Sequence, residues 1–168
     1  QHSVLAMRMV NAIVFVALLS VALTVLAPAI RSAVAVTTAV VLVPLGLFII
    51  PSTNPSSWTV TGVVFVWAFG LALAQRTSWR SQRTWLLAVA TCLSAFLAIG
   101  SRVDASAFVA LAVIVVFVLT GWTKARASWI SFVVLLVLAT IGLVQFATFG
   151  TPGSGVSGGM GGTEPGPG

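Results

Sequence analysis

From Met9 to Ala27 the chain runs for a whole membrane thickness without a charged residue, and five more stretches of the same kind follow. They cover about Ala33–Ile50, Ser57–Gln75, Thr84–Gly100, Ala105–Trp122 and Trp129–Thr148. A helix needs about 20 mainly apolar residues to cross a hydrocarbon core of roughly 30 Å. The apolar residues are continuous rather than alternating, which argues against the apolar-out, polar-in strands of a membrane barrel. Composition closes the case: 59% of the 168 residues are hydrophobic and 6% are charged. Too little polar surface exists to cover a water-soluble globule, whose charged share is about 25%. The expected fold class is all-α, a polytopic transmembrane bundle of about six helices, and its first partner is the lipid bilayer.

Two of the stretches have features of their own. Pro44 lies inside the second stretch and predicts a kink, because a proline removes one backbone donor. The fourth stretch is at the short limit for a span. Residues 1–149 are read as the transmembrane domain, in part. Residues 150–168, GTPGSGVSGGMGGTEPGPG, are read as a Gly- and Pro-rich flexible outer segment, since such a composition cannot offset the entropy of ordering. The opening residues QHSVLAMR read like the interior of a protein, so the chain is expected to be a piece of a longer one.

Charge sets the orientation. The formal net charge of +6 would suggest nucleic acid in a soluble protein, but here the cations stand between apolar runs, so no nucleic-acid partner is expected. Numbering the faces alternately puts Arg31, Arg76, Arg80, Arg83, Lys124 and Arg126 on one side. Arg8 and Arg102 fall on the other, with Asp104 and Glu164. The richer side is expected to be cytoplasmic, with both chain ends outside. Trp79, Trp85, Trp122 and Trp129 then stand at the inner boundary and Trp58 at the outer one, while Trp67 reads as a packing residue.

Chemistry is sparse. Cys92 has no second cysteine to pair with and reads as a small buried filler, and His2 stands alone, so no metal and no cofactor are implied. No Ser-His-Asp or Cys-His set, no carboxylate pair and no phosphate-cradling Walker loop can be assembled. Asn11 and Gln145, inside apolar runs, are expected to hydrogen-bond between helices. Two outer loops stand out: PSTNPSSW, Pro51 to Trp58, and GSRVDAS, Gly100 to Ser106. In them Asn54 suits a turn, Asp104 suits the N-cap of the fifth helix, and Arg102 suits an ion pair or a headgroup contact.

The AMR segment at Ala6–Arg8, the STNPSSW loop and SRVDASAF together resemble a family of uncharacterised bacterial predicted membrane proteins. That family is similar to the C-type membrane glycosyltransferases, which include the protein mannosyltransferases. The likeness covers about Ser3 to Trp122. It implies an integral enzyme of the bacterial plasma membrane that uses a polyprenyl-phosphate-linked sugar at the outer face. The catalytic acid of that superfamily lies in a first outer loop that no position here matches, so the isolated segment is expected to be inactive. Arg8, Asn54, Arg102 and Asp104 are the candidate substrate-binding residues, with the two arginines on the donor phosphate. A transporter or flippase, or a structural subunit without catalysis, remains the alternative.

Overall fold

Helix forms within each of the six apolar runs, but in only four of them over a full spanning length among the described residues. The computed structural model describes residues 2–42, 46–76, 78, 80–102, 104–121 and 129–149. They form α1 (His2–Val25), α2 (Pro28–Val41), the single turn α3 (Leu47–Ile49), α4 (Ser56–Ala74), α5 (Gln82–Ser101), α6 (Ala105–Thr120) and α7 (Trp129–Phe149). No strand occurs among the described residues. Ser3–Val25, Ser56–Ala74, Gln82–Ser101 and Ser131–Thr148 are each long and apolar enough to span a bilayer. The protein is an all-α membrane bundle.

The second run departs from expectation. Its helix begins at Pro28, not near Ala33, because proline is favoured in the first turn, where its missing N–H costs nothing. Arg31 therefore sits inside α2 and donates from Nη2 to the Leu26 carbonyl at 3.0 Å. With 14 residues α2 is about 21 Å long, and α6 with 16 is about 24 Å. Pro44 and its expected kink lie outside the described residues. So does the tail from 150. The fourth run, by contrast, makes a full 20-residue helix in α5.

α4 is the hub. Of its spanning window 61% is buried, against 11% for α1 at the periphery. One side of α4 presents Phe65, Phe69 and Leu73 to Leu18 and Ala22 of α1, to Leu26 just after it, and to Leu87 and Ala88 of α5. The other side packs Val66 and Ala74 with Val109, Val113 and Val116 of α6 and Leu135 and Leu138 of α7. Lipid tails are as apolar as leucine, so helices associate through close packing rather than water exclusion, and small residues mark where they touch. A Cβ on Gly62 would lie 2.5 Å from the Ser94 carbonyl oxygen and 2.7 Å from the Ala98 nitrogen. The α4 and α5 backbones meet there.

Large apolar side chains face outward, among them Phe48, Phe96 and Val118. In water that would be a liability; in lipid it is the solvated surface. Cys92 is on this outer surface, not in the core. Trp67, 47% exposed, lines a largely apolar crevice with Val34 and Thr38 of α2.

Short contacts sort the bundle into two ends. Asn11, Ser52, Trp58 and Ser101 meet at one, which we call the polar end. Thr24, Gln82 and Arg83 gather at the opposite, basic end, as do Leu73 and Ser131, whose hydroxyl donates to the Leu73 carbonyl at 2.9 Å.

Candidate ligand site at the polar end

The polar end is built on the segment between α3 and α4. Its backbone cannot continue as helix at Pro51 and Pro55, and side chains take over the pairing. Ser57 Oγ donates to the Ile50 carbonyl at 2.6 Å, closing the loop on itself while fully buried. Asn54 Oδ1 accepts the Ser56 N–H at 3.0 Å, an Asx turn that starts α4, and the Asn54 carbonyl accepts from Ser57 N at 3.0 Å. Asn54 thus makes the turn its residue type suggests.

α1 supplies the next layer. Asn11 is buried, and its Nδ2 donates to the Ser52 carbonyl at 2.6 Å. Its Oδ1 accepts the indole N–H of Trp58 at 2.6 Å. An indole nitrogen can only donate, so this bond fixes which way the Asn11 amide points. The expected interhelical role of Asn11 is realised. Gln145, half-buried on α7, makes no side-chain hydrogen bond to a described residue. Beside Asn11 and Trp58 opens a cavity of about 210 Å³, also lined by Thr53, Asn54 and Ser101.

α5 and α6 close the site. Thr59 and Ser101 share a 2.7 Å hydroxyl contact across α4 and α5. Arg102 follows with extended backbone; its Nε donates to Asp104 Oδ1 at 2.9 Å and its Nη1 to Ser56 Oγ at 3.2 Å. Asp104 occupies the N-cap position of α6 but its side chain makes no capping hydrogen bond. Its carboxylate is turned to the guanidinium instead. Both partners stay about half exposed, at 49% and 54%, so the pair adds little to stability; exposed pairs contribute about 0–1 kcal/mol. What it does is hold the fork in place.

A chain of contacts therefore links three of the four sequence candidates: Asn54 to Ser56, Ser56 to Arg102, Arg102 to Asp104. Arg8 is not drawn in. It is exposed on α1 and makes no ion pair or hydrogen bond to a described residue. Ser56 and the Asn11–Trp58 bond are the parts that sequence reading did not assign to the site. An asparagine within an apolar run and a tryptophan at a loop boundary were the available signals; nothing marked Ser56. Among the described residues, no group of three or more His, Cys, Asp or Glu gathers.

Over residues 1–164 the chain matches the family described as Predicted membrane protein (DUF2142). The chain belongs to that family. The match reaches beyond the Ser3–Trp122 likeness and agrees with the apolar bundle described above. Its description names the membrane and no reaction, so the glycosyltransferase likeness rests on the sequence motifs alone. No curated protein and no solved structure matches the chain.

Proposed function

We propose that this DUF2142 chain is part of a glycosyltransferase-like protein of the bacterial plasma membrane, and that its polar end, at the outer face, holds the headgroup of a polyprenyl-phosphate-linked sugar. The observation that carries this reading is the Asn54–Ser56–Arg102–Asp104 contact chain beside the Asn11–Trp58 cavity. Arg102 spends Nε and Nη1 within the protein, leaving Nη2 for a phosphate oxygen. A guanidinium stays charged and matches phosphate with a planar fork, and this one is pre-oriented. The cavity is smaller than the roughly 300–1,000 Å³ that a drug-sized ligand takes, which suits one small polar group and not a nucleotide. Trp58 offers a partly exposed indole at its wall. The lipid tail would remain in the bilayer.

The transporter alternative needs polar groups facing a path near the midplane. Thr91 and Ser94 are buried there, but their hydroxyls donate to Leu87 and Ala90 of their own helix. No observation favours that reading over the first.

The test is binding of a short-chain polyprenyl-phosphate monosaccharide to the full-length protein. Arg102→Lys keeps charge and loses the fork, so donor affinity should fall about tenfold, the worth of a charge-assisted hydrogen bond. Unchanged affinity in both Arg102→Lys and Arg102→Ala would reduce Arg102 to an anchor and remove the proposed site.

A further inference from the structure

Among the described residues, the opposite end of the bundle gathers cations with no acid beside them. Arg31, Arg76, Arg80 and Arg83 lie there, and of the two acids in the sequence, Asp104 and Glu164, only Asp104 is among the described residues. Asp104 is at the polar end, paired with Arg102. No ion pair among the described residues neutralises the basic end. The first turn of α5 carries no acid either, and Ser81 at its N-cap makes no side-chain hydrogen bond. Thr84 Oγ1 is turned away, donating to the Ser78 carbonyl at 2.7 Å.

A cleft of about 520 Å³ opens at this place between the end of α1 and the start of α5. Its walls change character along one line. Gln82, Trp85, Leu86 and Val89 recur at the spacing of a single helix face, with Arg83 beside Gln82 and Thr24 across from it on α1. Over about 10 Å of helix the lining passes from an amide and a guanidinium, through a half-exposed indole, to bare aliphatic side chains. That order repeats a phospholipid read from headgroup to acyl chain. A soluble anion would use only the first third of it.

We propose that this cleft binds an anionic phospholipid of the adjoining leaflet, with its phosphate on Arg83 and Gln82, its glycerol region against Trp85 and its acyl chain along Leu86 and Val89. Basic pockets between helices at a membrane surface are the usual seats of anionic headgroups. The site is independent of the sugar-phosphate reading of the other end.

Lipid retention by the purified, delipidated full-length protein tests it, measured by native mass spectrometry with phosphatidylglycerol, phosphatidylcholine or soluble glycerol phosphate. Phosphatidylglycerol should be retained over phosphatidylcholine, and Arg83→Gln should weaken its retention about fivefold, as one cation at a membrane surface is worth. For the unsubstituted protein the preference should vanish at about 1 M salt, where charges are screened beyond roughly 3 Å, which needs no variant to fold. Equal retention of the two lipids, full retention by Arg83→Gln, or a preference that survives high salt would overturn the proposal. Displacement of the lipid by glycerol phosphate at equal concentration would overturn it too, by showing that the aliphatic wall contributes nothing.

Discussion

Trp58 donates its indole N–H to the Asn11 side chain at 2.6 Å, and that bond ties the peripheral helix α1 to the first turn of the hub helix α4. Asn11 in turn holds the Ser52 carbonyl, so one buried amide positions both the loop and the tryptophan that wall the polar-end cavity.

Truncating that amide should therefore loosen the site and the bundle together. Asn11→Ala leaves the Trp58 N–H and the Ser52 carbonyl unpaired, for a loss of about 1–2 kcal/mol in a membrane protein. Unfolding in mixed micelles checks it. A double-mutant cycle with Trp58→Phe should return a coupling of about 0.5–2 kcal/mol, because the two side chains share one bond.

Gly62 and Gly100 give a second, contrasting prediction. A Cβ at Gly62 meets the backbone of α5 at 2.5 Å and 2.7 Å, and backbone cannot swing aside as a side chain can. Gly62→Val should cost about 1–3 kcal/mol or more by overpacking. At Gly100 a Cβ meets nothing within 4 Å, so Gly100→Ala should leave stability unchanged or raise it by up to about 1 kcal/mol. The same unfolding assay distinguishes them.

The helices were legible because uncharged runs of membrane length admit little else. Which way each helix faces was not. In a soluble helix the polar face betrays the surface, but in α4 and α7 the lipid-facing and core-facing sides are both mainly apolar, and in α5 the small polar Thr91 and Ser94 face inward. Cys92, expected to be buried, faces outward for that reason: a small thiol suits lipid as well as it suits a core. α2 begins earlier than the apolar run because Pro28, just past the first run, serves as a helix start. The site was half legible. Asn54 and Arg102 announced themselves as polar residues in outer loops, and Asp104 was expected to cap α6 until Arg102, two residues away, claimed its carboxylate. Ser56, which joins the two loops, is an ordinary serine in the sequence.

The third prediction concerns catalysis. Asp104 is the only acid among the described residues, and its carboxylate is half exposed and held by Arg102 rather than poised as a base. Proton transfer at a sugar acceptor needs a positioned group free to take the proton. The isolated 168-residue chain, reconstituted with a lipid-linked sugar and acceptor, should release no product above background. Sustained turnover by it would show that another group does this work.

The proposed orientation, polar end outside and basic end inside, is tested most directly by cysteine accessibility in intact cells. With Cys92 replaced by alanine, Thr53→Cys reports the loop beside the cavity and Ser78→Cys the loop before α5; both positions are exposed. An impermeant thiol reagent should label Thr53→Cys and reach Ser78→Cys only after the cells are opened. Labelling of Ser78→Cys with protection of Thr53→Cys would place the basic loops outside, against the Lys and Arg bias that orients the bundle, and would contradict the assignment of the sugar-phosphate site to the outer face.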